Sequence, residues 1–151
     1  MLSFGRIQPD AYAEITGSQA YPNIKGNAYF YETFNGTYVV VTVTGLEDDG
    51  YHGFHIHEGG SCTGTEADSF RDARGHFNPW NQNHPNHVGD LPPLLANQGL
   101  AFLSFYTNRF YPAEVLGKTI IIHEMADDFR SQPSGNAGEM IACGVIEEYQ
   151  M

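Results

Sequence analysis

The chain has 151 residues, 41% of them apolar and 17% charged, which is the size and composition of one domain, residues 1–151, with a buried core. Its 17 glycines and 8 prolines argue against an all-helical bundle, and no apolar run is long enough to span a membrane. The 18 acidic and 7 basic residues leave a net charge of -11, which argues against nucleic acid or an anionic membrane as a partner.

Short apolar or aromatic segments, separated by Gly, Asn, Asp and Pro, predict a chain made of strands. Asn35-Gly36 favours a tight turn because both residue types accept positive φ, so the second and third segments are predicted to form a hairpin. The fold class is therefore all-β, an antiparallel sandwich or flattened barrel of about eight strands with two long loops, residues 58–98 and 124–139. The predicted strands cover residues 10–16, 27–34, 37–45, 51–57, 99–106, 118–123 and 140–146.

The first long loop, residues 58–98, is rich in Gly, Pro, Asn, Asp and His. A loop of about forty residues inside a compact domain needs something that fixes its backbone. The sequence offers two candidates, which are Cys62 and a metal ion bound by the histidines and aspartates of the loop.

The histidines are clustered, because six of the seven lie between residues 52 and 87 and the seventh is His123. Clustering of this kind indicates metal binding. His55 and His57 are two residues apart on a predicted strand, so both rings project from one face about 7 Å apart and can share one ion. The same spacing also fits a structural pair.

The loop contains a second group of metal donors. Its three imidazoles and one carboxylate make a complete four-coordinate donor set for zinc. His123 lies in an aliphatic strand segment, where a buried ring needs a partner that a shared metal ion would provide. Imidazole suits copper and zinc alike, so the donor types do not choose the ion. The members of the second group are His76, His84, His87 and Asp90.

Five segments stand out as motifs: GFHIHE at 53–58, GHFNP at 75–79, HVGDLP at 87–92, HEMADD at 123–128, and GNAG with IACGVI at 135–146. They resemble the signature motifs of the copper/zinc superoxide dismutases, and they occur in that family's order. The resemblance implies a Greek-key fold and an antioxidant oxidoreductase that converts superoxide to dioxygen and hydrogen peroxide, with copper and zinc as cofactors. The long segment that follows Cys62 is similar to the bacterial branch.

The resemblance also implies the roles of the site residues. His76 would bridge both ions, which is feasible because two cations compensate the charge of a bridging imidazolate, and would carry a proton during catalysis beside His123. Asp127 matches a carboxylate that orients two ligand rings, His55 and His84, although the sequence alone does not separate it from Asp128. The implied copper ligands are His55, His57, His76 and His123, and the implied zinc ligands are His76, His84, His87 and Asp90.

Cys62 and Cys143 match the family's intrasubunit disulfide, which ties the long loop to the last predicted strand. Two free thiols are the alternative, because reducing compartments keep cysteines reduced. The resemblance favours the bond.

Residue 140 departs from the family pattern. An arginine that binds the incoming anion usually stands three residues before the second disulfide cysteine, and this chain has Met140 there, beside Glu139. Losing a guanidinium removes a charge-assisted donor and a steering charge, so we expect lowered turnover with metal binding intact. Arg74, two residues before His76, is the candidate substitute anion guide; an arginine that only solubilises the loop is the alternative.

Two other function classes stay open. Met140 fits a copper- and zinc-binding protein used for metal storage or delivery, since a thioether favours Cu(I); a structural domain with weak copper affinity is the third class. Superoxide, a small anion, is the expected partner of a monomer or homodimer. We expect a cytoplasmic location because the chain as given shows no export signal, or an exported, periplasmic one if a signal peptide was removed.

Overall fold

The computed structural model describes residues 7–150, which contain ten strands, one short α-helix and one 3-10 turn. The strands are β1 (Ala11–Gly17), β2 (Lys25–Thr33), β3 (Gly36–Thr44), β4 (Gly50–His52), β5 (Phe54–His57), β6 (Leu94–Ala96), β7 (Ala101–Thr107), β8 (Thr119–His123), β9 (Met140–Val145) and β10 (Glu147–Glu148); the helix α1 is Pro112–Val115 and the 3-10 turn is Arg71–Ala73.

Eight of these ten strands form one curled antiparallel sheet with the order β5-β8-β9-β1-β2-β3-β7, in which β10 lies beside β1, and β4 and β6 form a separate pair. Gly53 separates β4 from β5, so the two strands follow each other directly in the chain but pair with different partners. β5 pairs with β8 at one edge of the sheet, while β4 pairs with β6, which a tight turn joins to β7 at the other edge. The two edges are thereby brought together, and neighbours such as β3 and β7 are not consecutive in the chain. The all-β prediction is confirmed.

Buried and exposed residues alternate along strands such as β3, so one face of the strand contributes to the barrel core and the other lies on the outer face. Val39, Val41 and Val43 of β3 point inward and are fully buried, while the residues between them face outward. Burial of each such side chain stabilises the fold by about 1.5–3 kcal/mol.

Strand β8 is buried on both faces. Ile120 and Ile122 belong to the barrel core, whereas Ile121 packs against Phe70 and Ala73 of the long loop in a second apolar cluster. The loop therefore covers the outer face of β8, and the polar residues on that face are enclosed as well.

The predicted hairpin is confirmed, but its turn lies one residue earlier than predicted. Thr33 pairs with Gly36, so Phe34 and Asn35 form the turn. Gly36 has a φ of 150°, and a Cβ atom there would lie 2.1 Å from the carbonyl oxygen of Thr107. Glycine is therefore required by the approach of β7 as well as by the backbone conformation.

The loop prediction for residues 58–98 was wrong in part, because the 3-10 turn and β6 lie within it. Both elements are three residues long and too short to show a period. Cys62 is bonded to Cys143, with a distance of 5.7 Å between the Cα atoms, so the disulfide is confirmed and fixes the loop to β9. No helix within residues 7–150 is long and apolar enough to cross a membrane.

Candidate metal centre

Four buried histidines converge on the outer face of β5 and β8, and we call them the strand set. His55 and His57 project from one face of β5, and the ring centroid of His123, the last residue of β8, lies 4.8 Å from that of His55. One ring nitrogen of each member lies within 4.8 Å of those of the other three, so the set can hold one metal ion. The strand set is His55, His57, His76 and His123.

Backbone acceptors fix the orientation of two strand-set rings. His57 donates from Nδ1 to the carbonyl oxygen of Arg74 at 2.6 Å, and His123 donates from Nδ1 to the carbonyl oxygen of Gly138 at 3.1 Å. Each neutral ring therefore carries its lone pair on Nε2. The two Nε2 atoms face each other at 3.3 Å, and two lone pairs at that distance repel unless a cation lies between them.

The second group of donors lies on residues 76–90, and we call it the loop set. Asp90 lies at its centre: Oδ1 accepts a hydrogen bond from His76 Nδ1 at 2.8 Å, and Oδ2 lies 3.1 Å from Nδ1 of both His84 and His87. These distances bring three imidazoles and one carboxylate to a common point. The loop set is His76, His84, His87 and Asp90.

A second compact group of possible ligand atoms is made of His55, His76, His84 and Asp90, so it includes His55 instead of His87. His87 lies at its edge, with Nδ1 3.3 Å from Nδ1 of His76. All of the ligands that the family resemblance implies are thus brought together, and His76 belongs to both sets.

Three buried ring nitrogens have no hydrogen-bond partner within residues 7–150, namely His55 Nδ1, His76 Nε2 and His84 Nδ1. An unpaired buried polar atom costs about 1–3 kcal/mol, so three in one cluster call for a bound partner. Lone pairs on imidazole nitrogens are metal donors, and they suit both copper and zinc. The residues of the two sets therefore fit these two ions.

Asp127 joins the two sets through its carboxylate. Oδ2 accepts from His55 Nε2 at 2.7 Å, and Oδ1 accepts from His84 Nε2 at 2.8 Å, so each ring is left with its lone pair on Nδ1. The neighbouring Asp128 accepts instead from the backbone of Arg130 and Ser131. Of the two aspartates, Asp127 is therefore the one whose carboxylate contacts His55 and His84.

Burial keeps the rings of His55, His57 and His123 neutral. Desolvation lowers the pKa of His55 to about 4, against the opposing hydrogen bond to Asp127. Desolvation and the neighbouring rings lower the pKa of His123 to about 3, and burial lowers the pKa of His57 well below its ordinary value. Burial alone would raise the pKa of Asp127, but hydrogen bonds from His55 and His84 lower it, so the carboxylate is ionised.

A cavity of about 410 Å³ lies against the strand set, and we call it the site cavity. The rings of His57, His76 and His123 line it. Met140 also lines the cavity and pairs with His123 across β8 and β9, so both side chains project from the same face of the sheet. Arg74 is the one lysine or arginine among the lining residues of the described chain, which include the acidic Asp68 and Glu139.

Sequence reasoning missed three polar residues near the site. Both ring nitrogens of His52 lie 2.9 Å from carbonyl oxygens, those of His123 and Asp48. Arg109 and Gln132 contact the backbone of the loop set. No sequence signal marks such residues, because their partners are main-chain atoms, which carry no residue-specific pattern.

Comparison with known proteins agrees with this geometry. The family model for copper/zinc superoxide dismutase (SODC) matches residues 24–146. The superoxide dismutase [Cu-Zn] of Deinococcus radiodurans is 37% identical, over 93% of this chain and 85% of the relative. The chain belongs to the copper/zinc superoxide dismutase family.

Further relatives of this family show the same likeness. Superoxide dismutase [Cu-Zn] 2 of Aquifex aeolicus is 34% identical over 90% of this chain and 85% of its own length. The solved Cu/Zn superoxide dismutase from Brucella abortus superposes with a TM-score of 0.79 at 29% identity, covering 91% of this chain and 99% of that one. The family and the histidine clusters together make copper and zinc the cofactors of this chain.

Proposed function

We propose that the chain is a superoxide dismutase in which the strand set binds copper and the loop set binds zinc. The observation that carries the proposal is the pair of facing acceptors in each set: Nε2 of His57 against Nε2 of His123 at 3.3 Å, and His84 Nδ1 against Asp90 Oδ2 at 3.1 Å. Each contact is favourable only around a cation, and the two sets share His76.

The net reaction takes two superoxide anions and two protons to one dioxygen and one hydrogen peroxide. When bound, copper supplies one-electron redox chemistry and zinc supplies a fixed positive charge without redox change. The remaining tasks belong to the protein, which holds the rings in place, admits a small anion and provides a proton.

His76 is the residue positioned to hold that proton. Its Nδ1 donates to Asp90 on the loop-set side, while Nε2 has no hydrogen-bond partner among the described residues 7–150. The ring also lines the site cavity, where the substrate enters. We assign Nε2 of His76 as the atom that takes up a proton and delivers it to the reduced substrate.

Arg74 is the proposed anion guide. Its main chain accepts the hydrogen bond of His57, and its side chain lines the site cavity. A local cation matters because the net charge of -11 opposes the approach of superoxide. Asp68 and Glu139 line the same cavity and Met140 adds no charge, so we expect a lower rate than an arginine at residue 140 would give.

The rate of superoxide decay over the copper- and zinc-loaded protein, measured by stopped flow at low and high salt, tests both proposals. We expect rapid decay that slows with salt, and an approximately tenfold slower rate with a weaker salt dependence in Arg74→Ala. Arg71→Ala is the matched control, because Arg71 is an exposed arginine of the same loop. Its Nε lies 3.8 Å from Oδ1 of Asp72. Arg74→Lys should restore the salt dependence, and an unchanged rate in Arg74→Ala would refute the guide role.

A second candidate function is copper storage or delivery, which Met140 favours. A thioether in the site cavity, paired across the sheet with His123, adds a soft donor that prefers Cu(I). Slow superoxide decay with both metals bound, together with Cu(I) affinity that falls in Met140→Leu, would support this function over dismutation.

The oligomeric state and the compartment stay predictions. Trp80 is 71% exposed in the long loop and, of the two predicted states, supports the homodimer rather than the monomer, since aromatic residues are enriched at interfaces. Sedimentation of the metal-loaded protein tests the state. Cell fractionation tests the predicted cytoplasmic location against the periplasmic alternative.

A further inference from the structure

Three members of the loop set lie within seven residues that form no helix or strand. His84, His87 and Asp90 belong to a segment of turns, residues 84–90, so no regular hydrogen-bond ladder fixes their backbone. Asp90 N–H donates locally to the His87 carbonyl oxygen at 3.1 Å. Gly89 ties the end of the segment to the barrel, since its carbonyl oxygen accepts from Ile56 N–H of β5 at 2.8 Å and its N–H donates to the Phe77 carbonyl oxygen at 3.0 Å. A ligand set on such a segment needs support from outside it.

Gln132 supplies support at the first ligand. Its Oε1 accepts from the backbone N–H of His84 at 2.9 Å, and its Nε2 donates to the carbonyl oxygen of His84 at 2.7 Å. The side-chain amide thus bonds both main-chain groups of one residue, as a neighbouring strand would. Gln132 comes from residues 124–139, the loop that follows β8, and is 48 residues away in sequence.

Arg109 supplies support at the other end of the segment. Its Nη1 donates to the carbonyl oxygens of His87 at 2.8 Å and Pro85 at 3.0 Å, with that of Asp90 at 3.5 Å. Its partners are main-chain carbonyl oxygens of the loop. The next residue, Phe110, is 1% exposed, and its carbonyl oxygen accepts from Thr37 at 2.7 Å, so the base of Arg109 is anchored to the barrel.

We propose that Arg109 and Gln132 are positioning residues that hold residues 84–90 in the metal-binding conformation and thereby raise the zinc affinity of the loop set. The inference rests on the proposed zinc site. Holding the backbone at the ligands before the metal arrives lowers the ordering entropy that binding must overcome. Residues that orient ligands from outside commonly contribute about 10–100-fold to metal affinity.

The charge of Arg109 allows two possible roles to be distinguished, because a guanidinium beside a zinc site repels the zinc cation. If the arginine acted through its charge, its removal would strengthen zinc binding. If it acts by holding carbonyl oxygens, its removal weakens zinc binding. The sign of the change therefore separates the two roles.

The experiment measures zinc affinity by chelator competition on the metal-stripped full chain, with the unfolding midpoint of that metal-free form measured in parallel. We expect Arg109→Ala and Gln132→Ala each to weaken zinc binding about tenfold, and the double variant to weaken it by about the product, since their hydrogen bonds are separate. Arg109→Lys keeps the charge and loses the planar fork, so it should recover only part of the affinity.

Lys25→Ala is the matched control, because it removes the same charge from an exposed position on β2. Zinc affinity that is unchanged or stronger in Arg109→Ala overturns the role of Arg109, and an unchanged affinity in Gln132→Ala overturns that of Gln132. A change that only tracks the unfolding midpoint also overturns the proposal, because it marks general destabilisation. A wild-type chain that binds no zinc refutes the proposed function instead, so the two failures are distinct.

Discussion

The strand set and the loop set reach the same end by different means. His55, His57 and His123 lie on paired strands, and main-chain carbonyl oxygens or Asp127 fix their rings. Three ligands of the loop set, His84, His87 and Asp90, lie in the turn segment 84–90, whose main chain is bonded by side chains from distant segments. Strand pairing positions rings through the same backbone bonds that hold the barrel together. A loop site, by contrast, depends on side-chain hydrogen bonds from other segments, and these can be removed without disturbing the barrel.

The comparison predicts that a substitution in the loop set alone lowers zinc affinity only, whereas a substitution at a residue shared by both sets lowers copper and zinc affinity together. His76 and Asp127 are the two points where the sets meet, the first as a member of both and the second as an acceptor for one ring of each. Variants at these positions therefore show whether the two sets are independent sites or one coupled centre.

His76→Ala should have the largest effect, because it removes a ligand from both sets at once. We expect copper and zinc affinities each to fall by more than about 100-fold, with loss of superoxide decay, since removing a ligand exceeds the effect of removing its supporting partner. Metal content after dialysis, measured by plasma mass spectrometry, checks this. His87→Ala is the matched control and should lose zinc while keeping copper; retention of both metals in His76→Ala would contradict the shared role.

The metal-stripped protein should lose stability as the pH falls from about 6.5 towards 4. The unfolded histidines take up protons in this window, while the pKa of His55 is lowered to about 4 and that of His123 to about 3, so folding excludes those protons. At pH 5 the difference costs about 2 kcal/mol for each ring. Stability from these groups is thus fully present above pH 6.5 and falls below it.

Urea unfolding of the metal-stripped chain at pH 7 and pH 5 measures this loss. His123→Gln is the control, because an amide does not titrate in this range and the variant should show a smaller difference between the two pH values. A free energy of unfolding that is equal at pH 7 and pH 5 would show that the rings are not held neutral by burial.

Asp127→Asn should affect both sets moderately. An amide offers one acceptor oxygen where the carboxylate offers two, so it can no longer accept from both His55 and His84. We expect copper and zinc affinities to fall by about 10–100-fold. Asp128→Asn is the matched control, since the Asp128 carboxylate accepts from loop residues 130 and 131, and it should leave both affinities unchanged. A loss confined to one metal would show that Asp127 supports one set alone.

The predictable parts of the molecule are those with a local signal. Alternation located β3 to within one residue of each end, and the motif around His55 and His57 located the strand set. The sequence prediction put the turn one residue too late, at Asn35-Gly36 instead of Phe34-Asn35. Glycine is needed at residue 36 because of the approach of β7, which is distant in sequence. Gln132 and Arg109 could not be predicted for the same reason: a side chain that bonds main-chain atoms leaves no pattern in either partner's sequence.

Met140→Arg should have the smallest effect of these variants, and it tests whether the site cavity lacks a charge. Met140 is paired with His123 across the sheet and lines the cavity, so an arginine there places a guanidinium beside the strand set without replacing a ligand. We expect kcat/KM for superoxide to rise about tenfold at low salt, with a steeper fall as salt increases, because a local cation raises the encounter rate with an anion. Met140→Leu removes the thioether without adding charge and should leave the rate unchanged. If Met140→Arg were no faster than Met140→Leu, Arg74 would already supply the charge that superoxide needs, and the low-salt rate of Arg74→Ala would then be restored by adding Met140→Arg to it.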